Sequence, residues 1–148
     1  MSGETIEVWL DQLTTLEQAG GALPNGSLVL ASNGPYDKMG SGAGYPDAQF
    51  VLVGQFNTVP VENSFLSLYA RPLDVFSTND AEVPEASRPT RLIGNFVVNN
   101  VTTLQTMELV ATDLPRKAEY YLHNNGTGQS LAAGWFLVLN PRSYKAAP

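Results

Sequence analysis

The segment Ser64-Phe65-Leu66-Ser67-Leu68-Tyr69-Ala70-Arg71 alternates with a period of two, and Pro72 closes it. Leu66, Leu68 and Ala70 fall on one face, with Phe65, Ser67 and Tyr69 on the other, which is the geometry of a β-strand. Asp47 to Phe56 is a near-continuous apolar run, as expected of a strand covered on both faces. Arg91 to Asn99, Leu104 to Thr112, Ala118 to Asn124 and Leu131 to Asn140 are rich in Val, Leu, Phe, Tyr or Trp and are separated by short turn-forming stretches. With Ser27 to Ser32 these make seven short strands and no helix-length pattern between them. That spacing predicts an all-β, antiparallel β-sandwich or barrel.

The turns carry their own signals. Asn33-Gly34-Pro35 and Gly44-Tyr45-Pro46 punctuate the first third of the chain. Asn124-Asn125-Gly126-Thr127-Gly128 reads as a hairpin, because Asn-Gly supplies the positive φ angles such turns need. Asp74 to Pro89 holds Asp74, Asp80, Glu82 and Glu85 with little apolar beyond Val75, Phe76 and Val83, and so reads as a long exposed loop.

The two ends are harder to read. Ile6, Trp9, Leu10, Leu13 and Leu16 recur three or four apart and Gly20-Gly21 would stop a helix. Thr14 and Thr15 are mediocre helix formers, so an extended arm that orders on a neighbour fits as well. Residues 1–24 are therefore expected to be an N-terminal helix or arm, 25–141 the β-sandwich domain, and 142–148 a C-terminal tail without periodicity.

At 148 residues the chain is long enough to bury a real core. It is 15% charged against an average of about 25%, and its net charge is -6, which repels phosphate backbones and anionic lipid; neither nucleic acid nor a membrane is an expected partner. It has no cysteine, and its apolar runs are far shorter than a membrane span. Met1 to Gln12 carries Glu4, Glu7 and Asp11 where an export signal needs positive charge, so a soluble protein made in the cytosol is expected.

Little in the sequence could run a reaction. His123 is the single histidine, and it falls in the phase of Glu119 and Tyr121, opposite Ala118, Tyr120 and Leu122, as a surface or hairpin-edge residue. No Gly-x-Ser-x-Gly elbow accompanies it. The acidic loop lacks the spacing of a calcium loop. Gly40-Ser41-Gly42-Ala43-Gly44 is followed by Tyr45-Pro46 rather than by a helix and a Lys-Ser/Thr pair, so it reads as a flexible turn and not a phosphate cradle. The Asn-x-Ser/Thr triplets at Asn25, Asn100 and Asn125 read as turn chemistry. No catalytic residue, metal or cofactor is expected, and the chain is read as a non-enzyme.

Contact residues are the better candidates. Trp135 and Phe136, inside a strand, are expected in the core, whereas Tyr36, Tyr45 and Tyr144, in loops or the tail, offer rigid area for a partner. Trp9, Leu10 and Leu13 in the N-terminal segment join them. Sheet edges with few charges to blunt them also point to self-association as a homodimer or homotrimer.

Several segments together resemble the small jelly-roll cement or decoration proteins of tailed bacteriophages. They are Ser64 to Tyr69, the Arg91 to Val98 strand, Thr112-Asp113-Leu114-Pro115-Arg116-Lys117-Ala118-Glu119-Tyr120-Tyr121-Leu122, and the Asn124 to Gly128 turn running into Leu131 to Val138. The resemblance spans Phe50 to Pro141; the N-terminal segment, the acidic loop and the last eight residues depart from it. It implies a non-catalytic, jelly-roll virion protein, made in the cytoplasm of a bacterial host and carried on the outer surface of the capsid, where it ties neighbouring major capsid subunits together. A sugar- or receptor-binding β-sandwich module of a tail or head fibre is the alternative.

Overall fold

The computed structural model describes residues 5–87 and 91–146. Two positions of the acidic loop, 88 and 89, the first four residues and the last two residues of the tail lie outside the described residues. The described chain is all β, built from ten strands: β1 (Thr5–Trp9), β2 (Thr14–Glu17), β3 (Leu28–Leu30), β4 (Tyr36–Asp37), β5 (Asp47–Gly54), β6 (Phe65–Pro72), β7 (Arg91–Val97), β8 (Gln105–Ala111), β9 (Lys117–Asn125) and β10 (Phe136–Ala146).

They form two antiparallel sheets. One runs β1-β10-β5-β8, with β2 beside β1 along the same edge of β10; the other runs β3-β9-β6-β7, with β4 below β3 along β9. The period-two alternation turns one face of each sheet inward. Leu66, Leu68 and Ala70 of β6 and Ala118, Tyr120 and Leu122 of β9 meet Phe50 and Leu52 of β5 and Leu137 and Leu139 of β10 in a single core. That core closes an antiparallel sandwich.

Several expectations change. Among the described residues no helix forms between Thr5 and Ala19: β1 and β2 are strands on β10, because β10 offers them a backbone edge that a lone amphipathic turn would lack. The C-terminal tail is likewise strand through Ala146, since β10 continues past Asn140 and pairs with β1. The Asn124 to Gly128 turn does use positive φ at Gly126 (84°) and Gly128 (79°). It is not a hairpin, because β9 and β10 lie in different sheets and the turn starts a crossover. Leu131 is split from β10 and bridges Leu23 and Phe56 instead. His123 sits on the outward face of a central strand between β3 and β6, where its neighbours bury it, rather than at an edge.

Aromatic placement is also mixed. Trp135 is core, but Phe136 points outward and is partly exposed. Tyr36, expected in a loop, is on β4 and buried beside Tyr120, with ring centroids 6.5 Å apart. Gly42 lies so close to the Tyr36 hydroxyl that any Cβ there would clash, so the glycine-rich turn is packed, not loose.

The hydroxyls of Tyr36 and Tyr120 are buried and have no hydrogen-bond partner among the described residues. Burial, then Asp37, pushes the Tyr36 phenol up from 10.0 to about 12; burial, then Tyr36, raises Tyr120 as well. Both groups are neutral when folded but ionise more easily when unfolded. Their ionisation therefore leaves stability untouched below pH 10, and stability falls as pH rises from 10 towards 12 because the unfolded chain releases these protons first. A phenolate absorbance titration should show these two ionising only as the protein unfolds in that window. Tyr36→Phe and Tyr120→Phe should each stabilise by about 1 kcal/mol in urea melts, since an unsatisfied hydroxyl is removed at almost constant shape.

Candidate functional site

β5 starts at Asp47, opposite Arg142, whereas β10 runs four residues further and β1 stays with it: Thr5 pairs with Ala146, Glu7 with Tyr144 and Trp9 with Arg142. The first and last strands thus extend past the body of the sandwich as a two-stranded ribbon. Leu137 and Leu139 point into the core, so the opposite phase of β10, including Arg142 and Tyr144, faces outward, together with the paired Glu7 and Trp9.

One side chain organises this face. The Arg142 guanidinium carbon lies 5.6 Å from the Trp9 ring centroid and 5.5 Å from that of Tyr144, and its Nη1 donates to Glu7 Oε2 at 3.2 Å. Each ring contact contributes about 0.5–1 kcal/mol and the exposed ion pair less than about 1 kcal/mol, so the three together clasp the two ends of the chain. The rings stay available: Trp9 is 39% and Tyr144 51% exposed. Arg142 Nε is buried without a hydrogen-bond partner among the described residues. Arg142→Ala should release the ribbon without unfolding the sandwich, and amide hydrogen exchange at Thr5 to Trp9 should quicken by about tenfold while the β6 and β9 amides keep their protection.

The same end of the sandwich carries two loops. β6 ends there at Pro72, β8 at Ala111, and β9 begins at Lys117; Leu114 N–H donates to Pro46 O at 2.8 Å and Leu73 N–H to Lys117 O at 2.9 Å. The β4–β5 loop brings exposed Met39 and half-buried Tyr45 to this end. The start of the acidic loop is not slack. It folds into a finger whose tip is Val75 and Phe76, the latter 75% exposed. Val75 N–H donates to Asn79 O and Asn79 N–H to Phe76 O, both at 2.9 Å, and Asp80 Oδ1 accepts from Asp74 N–H. Asp74 and Ser77 take positive φ to close the turn. Arg71 braces Asp80 (3.9 Å) and Glu119 (2.8 Å), and Lys117 braces Asp74 (3.7 Å). A large apolar side chain is therefore held in water by a stiff support.

Of the expected contact residues, Trp9, Tyr45 and Tyr144 lie at this end. Tyr36 is withdrawn into the core beneath it. Leu10 is half-buried against the β10 edge, its N–H donating to Pro141 O, and Leu13 is exposed further along that edge, away from the ribbon. Arg142 and Phe76 escaped the sequence reading. For Phe76 the signal was a lone aromatic inside an otherwise acidic loop; for Arg142 there was none, because its partners are more than 130 residues away or two residues off in the same strand.

The opposite end holds two adjoining clefts of about 310 and 440 Å³, sharing Asn57, Ala132 and Ala133. Their polar lining is amide and hydroxyl, from Gln55, Asn57, Thr58, Gln129 and Ser130, with no ionisable side chain. Among the described residues, no three His, Asp or Glu side chains converge as a metal site. No family model, curated protein or solved structure matches this chain.

Proposed function

We propose that this chain is a bacteriophage virion structural protein that decorates or cements the capsid, standing on its outer surface and binding neighbouring major capsid subunits through the ribbon end. The observation that carries the reading is that end itself. Trp9 and Tyr144 present half-exposed rings on a clasped ribbon, and Phe76 projects from a braced finger nearby, which are the kinds of aromatic anchor that dominate protein interfaces. The strand order supports the jelly-roll part of the reading. Leaving β1 and β4 aside, β2-β10-β5-β8 faces β3-β9-β6-β7, and the chain crosses between sheets as two nested Greek keys do.

The test is to mix purified protein with capsids that lack it, then sediment and image them. Binding at a fixed number of copies per capsid is expected; protein left wholly in the supernatant overturns the reading. The amide-lined clefts favour a second reading, a sugar- or receptor-binding module of a tail or head fibre, because amides and hydroxyls suit a neutral polyol. Glycan-array binding lost on Asn57→Ala, with no capsid binding, would select it.

A further inference from the structure

Antiparallel sheets with one solvated face normally alternate apolar in and polar out. The outward face of β3-β9-β6-β7 does not. One row across it reads Leu30, Tyr121, Tyr69, Leu92; the next reads Leu28, His123, Ser67, Asn95; the third reads Asn125, Phe65, Val97. Leu92 is 52% exposed, and Leu30, Phe65 and Val97 are exposed as well. These rows hold no carboxylate, lysine or arginine. The charged residues at the end of the face are already paired, Arg71 with Glu119 and Lys117 with Asp74. In a chain of net charge -6 this is a place where two like-charged copies can approach without repulsion.

The middle row says how they would meet. His123 faces outward; among the described residues its Nδ1 has no hydrogen-bond partner and is enclosed within the copy itself, which leaves Nε2 as the nitrogen a second copy can reach. Two strands away, exposed Asn95 accepts from Ser67 Oγ at 2.7 Å through its Oδ1, and its amide nitrogen is open to solvent or to a second copy. A two-fold axis running along β6 above Ser67 exchanges the two neighbouring strands, so it sets Asn95 of one copy over His123 of the other, and the reverse. An amide can serve either tautomer of the imidazole. The same axis sets Leu92 over Tyr121 and Phe65 over its own copy, an isologous contact.

From this we infer that the outward face of β3-β9-β6-β7 is a homodimer interface, with a two-fold axis along β6 that pairs Asn95 of each copy with His123 of the other. The inference stands apart from the capsid reading and concerns a face rather than the sheet edges. About this axis β9, β6 and β7 overlap while β3 overhangs, so three strands spaced about 4.8 Å apart and eight residues rising about 3.3 Å each cover roughly 400 Å² in plan, below the roughly 800 Å² per partner of a standard interface. The dimer is therefore expected to be weak and concentration-dependent.

Sedimentation equilibrium on the full chain tests it. The wild type should pass from monomer to dimer with rising concentration. Leu92→Lys should weaken association at least tenfold, with its circular dichroism spectrum unchanged. Val110→Lys, exposed on the outward face of the other sheet, should leave association as it is. The chain has no cysteine, so Phe65→Cys adds the sole thiol; under mild oxidation it should give a covalent dimer much faster than Val110→Cys does. A monomer at every concentration, a trimer, a dimer indifferent to Leu92→Lys, or faster crosslinking through Val110→Cys would each overturn the proposal. Capsid binding is read separately and does not change with any of these outcomes.

Discussion

Trp135→Ala should destabilise the fold by about 3–5 kcal/mol, the cost of deleting a large buried aromatic. Trp135 is 1% exposed, and its indole nitrogen donates to Gly21 O at 2.7 Å. The ring lies on Gly20 so closely that a Cβ there would come within 2.0 Å of it. Around this contact Gly20 N–H donates to Trp135 O and Gly134 N–H to Gly20 O, so the residue joins the β2–β3 connection to the start of β10. The alanine would leave a cavity and an unpaired carbonyl at once. Urea unfolding should show a lower midpoint with an unchanged slope. Gly20→Ala provides the converse check: its φ is ordinary, so its cost is steric, and it should destabilise by about 1–3 kcal/mol through overpacking. If both variants melted like the wild type, Trp135 would not be the packing centre of that end.

Those core positions were legible because they are local. A period of two in Ser64 to Arg71 and in Ala118 to Asn124 is a property of consecutive residues, and the structure keeps both alternations. What was misread depends on partners far along the chain. Ile6, Trp9 and Leu13 are spaced as on a helix, yet the edge that orders β1 is Arg142 to Ala146, at the other terminus. Arg142 to Ala146 shows no periodicity, and beyond Asp47 its strand partner is β1 alone, so what orders it is pairing with the other terminus. Asn124 to Gly128 announced a turn correctly, but turn chemistry says how the backbone reverses, not which sheet receives the next strand. Tyr36 looked like a loop residue because Gly34-Pro35 precedes it; that same turn delivers it under β9, opposite Ala118. The contact residues Trp9 and Tyr144 were named singly, and only the β1–β10 register puts them on either side of Arg142.

Trp9→Ala should weaken capsid binding by about 2 kcal/mol, roughly thirtyfold, under the proposed attachment, while the melting temperature hardly moves. The two halves of this expectation have separate grounds. Trp9 belongs to the ribbon and not to the core between the sheets, and its ring already reaches solvent, so its removal opens no cavity. The folded chain would lose one ring contact with Arg142, about 0.5–1 kcal/mol, which local fraying of β1 absorbs. A partner covering the same ring would lose the whole desolvated contact. If Trp9 instead served only to cap an open end of the sandwich, the substitution would behave as a core deletion, with a loss of about 3–5 kcal/mol in stability. Melting and capsid sedimentation measured on the same preparation separate the cases. Unchanged sedimentation with capsids would remove the ribbon from the attachment surface and leave the Phe76 finger as the next position to vary, with Phe76→Ser expected to spare stability because that residue is already 75% exposed.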